Sequence, residues 1–109
     1  MNLLVNPNAD VVLTITIGNA QIGASAIRFK DSSVILAKGE IKKCKLGKGS
    51  SLVGTTLLVT TNILDSNDLT DGVVATYFFG GSQPAVVTFD DKVDNDGDIF
   101  SFLLEFNFQ

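Results

Sequence analysis

Val11, Leu13, Ile15 and Ile17 alternate with Val12, Thr14 and Thr16, the period of two that turns one side of a strand to a core and the other mostly to water. At the opposite end of the chain Phe100, Phe102, Leu104, Phe106 and Phe108 alternate with Ser101, Leu103, Glu105 and Asn107, so five large side chains share one face of a second strand. Between them, clusters of β-branched and aromatic residues bounded by Gly, Asn, Asp and Ser predict strands near 21–29, 34–38, 40–46, 55–64, 73–79 and 85–89, with a short one at 2–5. A helical period is hard to find, and nothing supplies the crossover helices of a parallel sheet. The pattern predicts an all-β fold in a single domain spanning 1–109: an antiparallel β-sandwich of seven to nine short strands, with a small β-barrel as the alternative.

Two stretches depart from simple alternation. Segment 55–64, TTLLVTTNIL, carries apolar residues on both parities at Leu57, Leu58, Val59, Ile63 and Leu64. Such a strand is either central and covered on both sides, or its outer face meets another subunit. Gly39 followed by Lys42 and Lys43 breaks the pattern as a turn or bulge does. Gly80–Pro84 reads as a hairpin connection. Gly47-Lys48-Gly49-Ser50-Ser51 looks like a phosphate loop but lacks its spacing, and no helix is expected after it, so it reads as a turn.

Composition narrows the function. The 109 residues are 45% hydrophobic but only 18% charged, against about 25% in soluble domains. A protomer that hides apolar surface in an oligomer leaves this signature. There is no His and a single cysteine, Cys44. The usual neutral-pH general base, the Ser-His and Cys-His pairs and most zinc and iron ligand sets are therefore excluded, and no internal disulfide can form. Cys44 reads as a small half-buried strand residue. The first residues carry no basic, apolar leader, and no apolar run reaches the ~18 residues of a membrane span. The expectation is a cytoplasmic chain with no membrane span, with export without a leader left open.

The charges are sorted along the chain. Residues 28–48 hold seven of the eight basic groups and a local net of +5, whereas residues 49–109 hold nine acids and a net of −8. In an antiparallel meander, connections two apart share an end. The loops 65–72 (Asp65, Asp68, Asp71) and 90–98 (Asp90, Asp91, Asp94, Asp96, Asp98) would then crowd eight carboxylates at one pole, with Lys48 at the other. Crowded carboxylates repel unless a cation or a basic surface neutralises them. Calcium, which takes six to eight hard oxygens, is one such partner. The Lys-rich segment of a second copy is another.

Asp94, Asp96 and Asp98 place carboxylates at i, i+2 and i+4 around Gly97, a spacing that can wrap one ion. The candidate calcium ligands are Asp90, Asp94, Asp96 and Asp98, with Asp65 and Asp68 contributing. Over residues 90–98 this loop resembles the calcium loop of the two-calcium fucose- and mannose-binding lectins of bacteria. It departs from them at Ile99, where a further acid is expected, and at Gln109, where those chains end in glycine. The resemblance implies carbohydrate as a ligand class, although Tyr77 is the only Tyr and Trp is absent. The candidate interface is Lys38, Lys42, Lys43, Lys45 and Lys48 together with Leu58 and Leu64. Lysines on an edge strand also serve simply to block stray pairing. Nucleic acid is not expected, because the net charge is −4 and no aromatic residue is interleaved with the lysines.

The reading is a non-enzymatic, self-associating structural or adaptor subunit, a homo-oligomer or the partner of another protein. In it the basic segment and the acidic loop pole carry the contacts. The alternative is a calcium-dependent module that recognises carbohydrate or an anionic surface.

Overall fold

A computed structural model describes residues 1–109. The strand order in the chain is β1 (Asn2–Val5), β2 (Asp10–Ile17), β3 (Ile22–Phe29), β4 (Ala37–Gly39), β5 (Cys44–Lys48), β6 (Thr56–Leu64), β7 (Gly72–Gly80), β8 (Ser82–Gln83), β9 (Val86–Lys92) and β10 (Ile99–Phe108), with one helical turn, α1 (Gly49–Leu52), between β5 and β6. The strands form two sheets, β4-β3-β6-β10-β1-β8 and β5-β2-β7-β9. They pack face to face as a β-sandwich, and neither closes into a barrel. No helix is long and apolar enough to cross a membrane.

Alternation decides which side chains meet. Val11, Leu13 and Ile15 point inward from β2, Val73, Ala75, Tyr77 and Phe79 from β7, Leu57, Val59 and Ile63 from β6, and Phe102, Phe106 and Phe108 from β10. The rings interlock at the centre, with Phe79 and Phe106 centroids 4.8 Å apart and Tyr77 and Phe106 5.5 Å apart. Each such ring contributes about 2–3 kcal/mol by leaving water. One polar seam crosses this core. Tyr77 Oη and Thr61 Oγ1 lie 2.7 Å apart, and Thr61 Oγ1 and Ser25 Oγ 2.8 Å apart, so the buried phenol is satisfied by a chain of hydroxyls. Burial raises the Tyr77 phenol above its ordinary value of 10.0, and the Thr61 hydrogen bond offsets part of that.

The connections differ from a meander. Only β3–β4 and β7–β9 are hairpins within one sheet, and most other connections cross from one sheet to the other. Three local expectations are corrected. Residues 34–36 are not strand: Val34, Ile35 and Leu36 are exposed, and although the Leu36 N–H reaches the Ile27 carbonyl at 2.8 Å, the register with β3 begins at Ala37. Residues 40–43 precede β5: Gly39 (φ +93) turns the chain at the end of β4, and Lys43 (φ +49) adopts left-handed backbone just before β5 begins. The turn at Gly49 does wind into a single helical turn. There Gly49 lies so close to the Asn6 carbonyl that any Cβ would overlap it. The 80–84 connection is a hairpin as expected, and its β8 also pairs with β1 on the other sheet.

Candidate functional site

The two acidic loops meet, for a reason other than a meander. Residues 65–71 carry the chain from β6 to β7 and residues 93–98 carry it from β9 to β10, so both cross between the sheets at the same end. The backbone ties them together: Asp65 N–H donates to the Asp98 carbonyl at 2.9 Å, Gly97 N–H to the Asp65 carbonyl at 3.0 Å, and Val93 N–H to the Asp71 carbonyl at 3.0 Å. Lys48 lies by the start of β6 and Asp65 by its end, so the basic and acidic loops occupy opposite poles.

Within the acidic pole the structure selects three carboxylates. One oxygen from each of Asp65, Asp71 and Asp96 lies within 4.8 Å of the other two. Of the acids singled out from sequence, Asp65 and Asp96 belong to this group. Asp90 lies on the edge strand β9, Asp68 and Asp94 are exposed, and Asp98 accepts from the Asn95 N–H at 3.1 Å, closing its own turn. Asp71 takes the third place. Its carboxyl is pushed up from 3.8 to about 6, first by the proton it can share in a hydrogen bond with Asp96, then with Asp65, while burial and repulsion add to both; with all three ionised no hydrogen bond links them.

Gln21 organises the site from the far side. Its Nε2 donates to Asp65 Oδ1 at 2.6 Å and to the Thr70 and Gly72 carbonyls at 3.2 and 3.1 Å, while Oε1 accepts from the Ser66 and Asn67 N–H groups, each at 2.8 Å. This one buried side chain holds the 65–72 loop. Asp65 is 3% exposed, and its second oxygen, Oδ2, is buried without a donor.

The interface candidates separate onto two surfaces. Lys38 on β4 and Lys45 and Lys48 on β5 line the edge strands of the two sheets, with Lys42 and Lys43 in the segment joining them. Lys45 pairs with Asp10 at 3.4 Å. Leu58 and Leu64 instead face outward from β6, in the middle of the larger sheet. Of the sequence expectation for 55–64, the strand is central as expected, but it is not covered on both sides, because nothing in the chain packs on its outer face.

That outer face is arranged in rows by the strand register. Ile22, Leu64 and Ile99 stand side by side on β3, β6 and β10, and so do Ala26, Thr60 and Leu103. Leu103 is 75% exposed, Ile99 67% and Ile22 63%. Charge enters at Lys38, which stands beside Ala26 at the β4 edge of the second row, and at the far row, Arg28–Leu58–Glu105, where Lys30 reaches Glu105 at 3.7 Å. Elsewhere a cavity of about 440 Å³ opens between β2 and β3, lined by Ile15, Ile17, Gln21, Ser25 and Ile41. Tyr77 is fully buried, so it offers no platform for stacking a sugar.

Comparison with known proteins finds no matching family model, no matching curated protein and no matching solved structure.

Proposed function

We propose that the chain is a non-catalytic structural or adaptor subunit that pairs with a second copy of itself through the outer face of the larger sheet. The observation that carries this reading is the self-complementarity of that face. A two-fold axis laid along β6 sets β3 of one copy over β10 of the other. Ile22 then faces the partner's Ile99, Ala26 faces the partner's Leu103, and Arg28 faces the partner's Glu105. Apolar meets apolar, small meets large and cation meets anion in the registers of a single sheet. This is the same-patch contact that a closed dimer requires. The molecule measures 44 × 26 × 20 Å, so its broad face has room for the ~800 Å² per partner of a stable interface. Ile22, Leu64, Ile99 and Leu103 are exposed on this face, with the polar row Ala24–Asn62–Ser101 between the two apolar rows, and uncovered aliphatics grouped on one face mark an interaction surface.

The Lys-rich edges fit this arrangement. Charged edge strands discourage edge-to-edge growth, which favours a closed pair over a filament. Light scattering coupled to size exclusion tests the reading. The chain of 11.6 kDa is expected to elute at about twice its mass, and Leu103→Lys, on an exposed position, is expected to reduce it to a folded monomer. Reversing Lys42, Lys43 and Lys45 to Glu is expected to leave the dimer intact. A wild-type monomer at high protein concentration overturns the proposal. Dissociation by the lysine reversals with Leu103→Lys still dimeric moves the contact to the edge.

A further inference from the structure

We propose that Asp65, Asp71 and Asp96 hold a divalent cation of the hard, oxygen-preferring class, calcium in particular. The observation that points to a ligand is the Oδ2 oxygen of Asp65. Gln21 occupies Oδ1, which leaves Oδ2 as the oxygen offered to the cluster, buried and with no donor. A charged oxygen taken out of water without a donor is costly. Its neighbours here are two further carboxylates, and neither ion pair of the chain, Lys30–Glu105 or Lys45–Asp10, reaches them. A cation in their midst satisfies all three at once.

Size and chemistry favour calcium. Two oxygens bound to one ion at about 2.4 Å lie at most ~4.8 Å apart, and the three carboxylates fall within 4.8 Å of one another. Magnesium, with bonds of about 2.0–2.1 Å, demands a strict octahedron and sheds its water reluctantly, which three carboxylates from separate segments do not enforce. The protein supplies three anionic oxygens, and water entering past the exposed Asp96 completes the shell. The ligands come from three separate places: the end of β6, the start of β7 and the 93–98 loop. Binding therefore ties together both crossings of the sandwich, and because the unfolded chain scatters these residues, the ion stabilises the fold by mass action.

The test is titration calorimetry and thermal melting of the full chain, stripped with chelator and titrated with calcium chloride or magnesium chloride. Calcium at ten times its Kd is expected to raise the melting temperature by about 5–10 °C. Asp96→Asn and Asp71→Asn are each expected to weaken binding at least about tenfold. Asp68→Asn and Asp94→Asn, which lie outside the group, are expected to bind as wild type. Without metal, Asp71→Asn is expected to melt higher than wild type because a repulsion is gone, so its lost response is not misfolding. No binding heat and no rise at about 10 mM calcium, above the weakest natural range, overturns the proposal. So does a response that survives both Asp71→Asn and Asp96→Asn, and an equal response to magnesium overturns the assignment to calcium.

Discussion

Removing the Gln21 side chain tests how the acidic pole is held together. Gln21→Ala deletes a hydrogen bond of 2.6 Å to Asp65, which leaves both oxygens of a buried acid without a donor. It also frees the Ser66 and Asn67 N–H groups and the Thr70 and Gly72 carbonyls. A hydrogen bond to a charged group contributes about 1.5–3 kcal/mol, and a neutral one about 0.5–1.5. Water reaches the exposed Ser66, so part of the second set is recovered, and the expected loss is about 3–4 kcal/mol. That is a large share of the ~5–15 kcal/mol that holds a domain folded. With an m-value of about 1.5–2 kcal/mol/M, the urea midpoint in chelator falls by about 2 M. Gln21→Glu sharpens the test, because it keeps the Oε1 acceptor but sets a carboxylate against Asp65 Oδ1. Its deficit is expected to match that of Gln21→Ala at pH 7 and to shrink toward pH 4, where the new acid takes up a proton and donates. A loss below about 1 kcal/mol for Gln21→Ala would refute the reasoning, since it would mean that Asp65 finds its partners elsewhere.

Two further outcomes follow from groups inside the sandwich and at its pole. The Asp71 carboxyl is raised in the folded state, to about 6 from 3.8, so the proton it shares with Asp96 and Asp65 is held below about pH 4 and is lost as pH rises to about 6, where repulsion takes its place. In chelator, wild-type melting temperature is expected to fall relative to Asp71→Asn across that window, and parallel curves would remove the argument. In the hydroxyl chain, Tyr77→Phe leaves Thr61 bonded to Ser25 and is expected to cost about 1 kcal/mol. Thr61→Val strands the buried phenol and is expected to cost about 2–3; equal losses in urea denaturation would mean that the phenol has another partner.

The strands with one wet face were legible from alternation alone, because β2 and β10 turn every second residue toward the core, burying it fully or, at Ile17, Phe100 and Leu104, by half. The segment 34–36 misled for a physical reason. Three consecutive aliphatics satisfy a β pattern, but strand needs a neighbour to pair with, and pairing is long-range. At the site, the local i, i+2, i+4 run of Asp94, Asp96 and Asp98 drew the ligand expectation to one loop, whereas the carboxylates that converge come from three. Asp71 carried no local signal. Asp65 did carry one: Leu57, Val59, Thr61 and Ile63 are the inward parity of β6, and Asp65 continues it, which is the mark of a carboxylate aimed at the interior. Gln21 was invisible, since nothing in its neighbours in sequence says that an amide there is buried against a loop 44 residues away.

The acidic site and the apolar row are built from neighbouring residues of the same strand ends. Gln21 precedes Ile22, Leu64 precedes Asp65, and Asp98 precedes Ile99. Because successive side chains of an extended chain point to opposite faces, the polar member of the first two pairs is buried at the pole while its apolar neighbour stands on the outer face. A cation that pins Asp65 to Asp71 and Asp96 would therefore fix the ends of β6 and β10 where Leu64 and Ile99 leave the sheet. An ordered row has less freedom to lose when a second copy covers it. If the ion and the partner both bind as proposed, linkage makes the effect reciprocal. The factor by which calcium tightens the pair is the factor by which pairing tightens calcium.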